Sequence, residues 1–70
     1  MIVIDARAMP PPEPFEKVIA ALRDLEEGDE VLLILNQEPI PLYRFLNAND
    51  YDYDARSGAD GCWEIRIRER

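Results

Sequence analysis

The side chains able to do chemistry fall into three groups. Asp5, Glu13, Asn36, Gln37 and Glu38 stand close to prolines at two places in the chain, where carboxylates could hold a cation or exchange a proton. Their spacing matches no metal-ligand motif, so the expected role of the acids is to complement helix dipoles, and no metal is expected. Cys62, the single cysteine, opens a strand that also carries Arg66. A thiol flanked by guanidiniums is a route to reactive thiolate, although an unreactive strand-start cysteine is the simpler reading. The third group, Asp50-Tyr51-Asp52-Tyr53-Asp54, spaces its acids like a calcium loop. Ala55, however, stands where such a loop needs glycine, and Gly61 stands where it needs glutamate. Alternation with tyrosine predicts a solvated strand face instead.

Composition narrows the chemistry further. The chain has no histidine, which removes the commonest metal ligand and the usual proton carrier at neutral pH. With a lone cysteine it has no internal disulfide. Its net charge of -7 opposes binding to nucleic-acid backbones and to anionic membrane surfaces. No apolar run is long enough to span a bilayer, and the opening Met-Ile-Val-Ile-Asp lacks the pattern of a secretory leader. A cytoplasmic setting is therefore expected. Seventy residues make one domain, 1–70, with a single modest core.

The elements that must position these groups follow from periodicity. Ile2-Val3-Ile4 reads as a first strand ended by Asp5. Four of the six prolines lie in Met9 to Phe15, and proline is tolerated in a first helical turn, whose N–H groups have no intrahelical acceptor. Phe15, Val18, Ile19, Leu22 and Leu25 then recur at helical spacing, and Gly28 is the expected helix stop. Val31 to Leu35 is continuously apolar, as in a central strand. Glu38-Pro39-Ile40-Pro41 opens a second helix, with Leu42, Phe45 and Leu46 on its apolar side and an end near Asn49. Tyr51, Tyr53 and Ala55, and Trp63, Ile65 and Ile67, alternate with charges and predict a hairpin.

If the hairpin loop is Ser57 to Gly61, Arg56 faces Cys62, Asp52 faces Arg66 and Asp50 faces Arg68, with Asp54 opposite Glu64 as the one like-charge pair. Right-handed crossovers then give an α+β two-layer sandwich: β-α-β-α-β-β, a four-stranded mixed sheet with two helices on one face. Val3, Leu32 and Ile34 would leave an apolar strip on the open face. Either loops or neighbouring side chains cover it, or it is a surface for a partner or for self-association as a weak homodimer.

Both parallel strands end at one sheet edge, the place where ligands commonly bind. Pro10, Pro11, Pro12, Glu13, Pro14, Gln37, Glu38 and Pro39 lie there and form the candidate partner-binding edge. The rigid prolines limit the entropy lost on docking but delete N–H donors that phosphate binding would use.

Asp5-Ala6-Arg7-Ala8-Met9-Pro10-Pro11-Pro12-Glu13-Pro14 resembles the opening of TusA/SirA-like sulfur carriers, Asp-x-(Arg or Thr)-Gly-(Leu)-x-Cys-Pro-x-Pro. The similarity continues through Gly28-Asp29-Glu30 and the closing Gly61-Cys62-Trp63 strand. It implies a two-layer fold of four strands and two helices. The carriers' persulfide cysteine aligns with Pro11, which cannot hold sulfur, and Ala8 replaces their usual glycine. Closer still is the cysteine-less bacterial branch, domain of unknown function 2249, with its Leu-Pro-Pro-Pro-Glu-Pro and Glu-Pro-x-Pro-Leu-Tyr segments. Some members carry histidine before the second segment; here that turn holds Asn36-Gln37, so no iron or haem is implied. The expected function is a non-catalytic protein-interaction module, in sulfur or redox metabolism, with an unidentified protein partner and no cofactor. The alternative is a sulfur or redox carrier using Cys62 activated by Arg56 and Arg66; a metal site at Asp5, Glu13 and Glu38 ranks last.

Overall fold

Five consecutive apolar residues make the centre of the sheet. In the computed structural model, which describes residues 1–58 and 60–70, β2 (Val31–Leu35) buries Val31, Leu33 and Leu35 under the helices. Its neighbours are β1 (Ile2–Asp5), parallel, and β4 (Trp63–Glu69), antiparallel; β3 (Tyr51–Ser57) pairs with the far side of β4. The spatial order β1-β2-β4-β3 inserts β4 between the two strands that the second crossover joins. Helices α1 (Glu13–Arg23) and α2 (Ile40–Ala48) supply Val18, Leu22, Leu42 and Leu46 to one core shared with Ile65 and Ile67 of β4. Phe15 and Phe45 join the helices edge to face, with ring centroids 5.7 Å apart and planes at 70°. No helix among the described residues is long and apolar enough to cross a membrane.

Both proline clusters start helices. Pro12 and Pro39 occupy the N-cap positions, and Pro14 and Pro41 lie in the first turns; neither cap makes a side-chain hydrogen bond. The end of α1 differs from expectation. The helix stops at Arg23, because the Asp24 and Leu25 N–H groups reach back only three residues, to Ala21 and Leu22 carbonyls at 3.2 and 3.3 Å. Leu25 continued the apolar period but lies past the last regular turn. Gly28 does take a left-handed φ of 82°, inside a separate turn closed by Asp29 N–H on Glu26 O at 3.0 Å.

The hairpin register also differs, by two residues. Gly58 N–H bonds Cys62 O at 2.7 Å and Gly61 takes φ 82°, so β3 runs on to Ser57, opposite Trp63. Arg56 therefore faces Glu64 rather than Cys62, Asp54 faces Arg66, and Asp52 faces Arg68. The shift replaces the Asp54/Glu64 repulsion with two opposite-charge pairs. Asp50 is met instead by Arg70, whose N–H donates to Asp50 O at 3.0 Å.

On the open face Val3 is 59% exposed, while Leu32 and Ile34 are half-buried. Arg66 and Glu64 lie directly across from them in the ladder, and Arg66 approaches Glu30 at 3.7 Å. Charged neighbours thus cover two of the three strip residues, and Val3 stays bare.

Candidate functional site

The loops leaving β1 and β2 are stitched together before either helix begins. Ala6 N–H extends the parallel ladder to Ile34 O at 2.7 Å, and Asn36 Nδ2 donates to Arg7 O at 2.8 Å. Glu13 N–H closes a turn on Pro10 O at 3.0 Å, and the Pro11–Pro12 peptide is cis. Between the loops lies a cleft of about 230 Å³. The first loop and helix contribute Pro11, Pro12, Pro14 and Phe15, and the second contributes Pro39 and Pro41. Leu33, Leu35 and Leu42 of the core form its base, and Gln37 and Glu38 supply its polar atoms.

Of the residues expected at this edge, Pro11, Pro12, Pro14, Gln37, Glu38 and Pro39 line the cleft, whereas Pro10 and Glu13 do not. Sequence reasoning missed Phe15 and the β2 leucines, which read only as core, and Tyr43. The Tyr43 hydroxyl donates to Glu38 Oε2 at 3.2 Å, and its ring stacks on Tyr53 at 4.6 Å and 6°. The pair anchors Glu38, the one charged residue among the described cleft lining, to the edge strand β3.

Burial, then the Glu38 charge and hydrogen bond, push the Tyr43 phenol up to about 12 from its usual 10.0. The folded state favours the neutral phenol. Its stabilising contribution is thus complete below pH 10 and lost as pH rises toward about 12. In an ultraviolet absorbance titration, Tyr43→Phe is expected to remove a component with its midpoint near pH 12; an unchanged curve would contradict this assignment.

Beside the cleft, sharing Pro11, Leu35 and Gln37 with it, is a hollow of about 200 Å³ that includes Arg7, Met9 and Asn36. Asp5 grips Arg7 with both oxygens, at 2.9 Å to Nε and 2.7 Å to Nη2. The side-chain hydrogen bonds from Arg7, then its backbone N–H, hold the Asp5 carboxyl down at about 2. Because this folded value lies below the usual 3.8, the contribution is present above that pH and lost as pH falls toward 2. Carboxyl chemical shifts are expected to show an Asp5 midpoint near 2, moving back toward 3.8 in Arg7→Gln. Asp5 is thus committed to Arg7 and not to a site shared with Glu13 and Glu38. Among the described residues no group of three or more His, Cys, Asp or Glu is assembled.

Cys62 does not meet the guanidiniums expected of it. The two-residue register shift leaves Arg56 and Arg66 with Asp54 and Glu64 around a shallow hollow of about 70 Å³ on the open face. The half-buried thiol instead donates to Asn36 Oδ1 at 3.6 Å. Arg7 is its cationic neighbour. Asp60 accepts the Cys62 N–H at 3.1 Å, which lowers that carboxyl's pKa.

A split β-α-β crossover, two helices on one side and paired helix entrances at a single edge give the chain a SirA-like fold. The fold is similar to that of a SirA-like protein from Desulfitobacterium hafniense, with a TM-score of 0.85 and 24% identity over 96% of this chain and 95% of that one. The family model described as "Uncharacterized conserved protein (DUF2249)" matches residues 3–69, and the chain belongs to that family. No curated protein matches it.

Proposed function

We propose that this SirA-like domain is a non-catalytic interaction module that docks a partner protein through the proline-lined cleft, in a cytoplasmic sulfur or redox setting. The observation that carries the reading is the cleft itself. It is apolar and preformed, and five prolines line it, so little backbone freedom is lost on binding. By the resemblance of the chain's opening to the sulfur carriers, the cleft stands at the edge where they would hold their thiol, with Pro11 at the position that resemblance gives the cysteine.

The test is recovery of protein partners from the native host by wild type and by Pro11→Ser, Glu13→Lys and Glu38→Lys. Pro11 and Glu38 line the cleft and Glu13 sits outside its lining, so losses should be largest for the first and third variants. Unchanged recovery in all three would sink the reading. Weak self-association is assigned to bare Val3 on the open face; sedimentation should show a weak dimer for wild type and a monomer for Val3→Lys, and equal behaviour of the two would contradict the assignment.

A second reading keeps Cys62 as a sulfur carrier, favoured by Arg7 beside the thiol. That guanidinium is already taken up by Asp5, and the thiol hydrogen is directed to Asn36. Incubation with a cysteine desulfurase and cysteine is therefore expected to leave the intact mass unchanged. A sulfur adduct that disappears in Cys62→Ser would establish the carrier instead.

A further inference from the structure

The cleft is smaller than the roughly 300–1,000 Å³ pockets that enclose drug-sized ligands, and its lining includes three leucines and a phenylalanine. That size and lining fit one large apolar side chain better than a cofactor. Its polar rim is biased toward accepting hydrogen bonds. Pro11, Pro12, Pro14, Pro39 and Pro41 have no N–H to offer, and the Glu38 carboxylate in the lining can only accept.

Charge points the same way. The two helix N-termini carry about half a positive charge each. Against them stand Glu13 and Glu16 in the first turn of α1 and Glu38, the only charged residue among the described cleft lining. With these residues included, the whole chain carries a net -7. Tyr43 takes only one of the two Glu38 carboxylate oxygens, Oε2.

Resting on the docking reading above, we infer that the cleft recognises a protein segment presenting a large apolar side chain next to a lysine or arginine. The apolar group fills the space over Leu33, Leu35 and Phe15. The cation pairs with Glu38, in surroundings where an anionic segment would meet carboxylates and no proline N–H.

The probes are three short, end-blocked peptides: phenylalanine between lysines, phenylalanine between glutamates, and alanine between lysines. Each is titrated into the nitrogen-labelled domain while amide shifts are followed. The lysine-phenylalanine peptide should shift the Phe15, Leu35 and Glu38 amides and bind roughly tenfold tighter than either of the others, a gap of about 1.4 kcal/mol. Added salt should weaken it, and Glu38→Gln should erase most of its advantage over the glutamate peptide. Equal or tighter binding of the glutamate peptide at the same amides would overturn the cation requirement while leaving the docking reading intact. If none of the three moves those amides, the inference falls, and the docking reading is judged on partner recovery alone.

Discussion

Leu46→Ala is expected to destabilise the domain by about 2–5 kcal/mol, the range for emptying a well-packed leucine site. Leu46 is fully buried, on the face of α2 that meets the sheet. It belongs to the core that includes Val18 of α1, Leu33 of β2 and Ile65 and Ile67 of β4, so its loss leaves a cavity that few neighbours are free to fill. A chain of this length has roughly 3.5–10 kcal/mol of total stability, and the variant spends much of it. The urea midpoint should fall with an unchanged slope, and each kcal/mol should lower Tm by about 4–8 °C. Leu46→Met, which keeps volume, should lose less than about 1.5 kcal/mol. Equal stabilities for the two variants would show that α2 is not packed as described.

Phe15→Ala is expected to have the second largest effect, and it acts on fold and site together. A fully buried phenylalanine loses about 3–5 kcal/mol on truncation to alanine. Phe15 is half-buried, which puts the expected loss near the low end, about 3 kcal/mol. Its ring edge meets Phe45, so α1 and α2 lose a contact between them. Its other role is as a lining residue of the cleft between Pro14 and the β2 leucines. Partner recovery should therefore drop further than the folded fraction of the variant accounts for. Phe45→Ala is the control: it breaks the same aromatic pair and lies outside the cleft lining, so its recovery should follow the folded fraction. Identical behaviour of the two variants would separate the cleft from binding.

Most of the architecture was legible because burial imposes a period. The unbroken apolar run Val31–Leu35 marked the centre of the sheet, and Val18 and Leu22 marked the inner side of α1. What periodicity could not fix were positions that leave the pattern unchanged. A one-residue slip would have turned every hairpin side chain over, but a two-residue slip keeps each on its face. The alternation of Tyr51, Tyr53 and Ala55 was therefore silent on register. The like-charge pair Asp54/Glu64 was the signal that the first register was wrong, and the Gly58–Cys62 bond with left-handed Gly61 is what sets the true one. Leu25 misled in the same way, since an apolar residue at helical spacing looks identical whether or not the helix has ended.

The cleft was legible by position more than by composition. Twin proline clusters at two helix entrances located the edge, and six of the eight residues named for it line the cleft. Phe15, Leu33 and Leu35 were invisible as site residues because an apolar side chain at the end of a core reads as core. Tyr43 was missed because its partner Glu38 precedes the helix that carries it. Arg7 was missed as the neighbour of Cys62 because that contact joins the first loop to the last hairpin, a pairing that only the assembled sheet creates.

The most direct test of docking at this edge is photo-cross-linking in the native host, with a photoreactive amino acid placed at Gln37 in one variant and at Arg56 in another. Gln37 borders the cleft, whereas Arg56 borders the hollow on the open sheet face. A discrete protein adduct from position 37, absent from position 56 and lost when Glu38→Lys is added, is the predicted result. Adducts from position 56 with none from position 37 would contradict the account and move the working surface to the other side of the sheet.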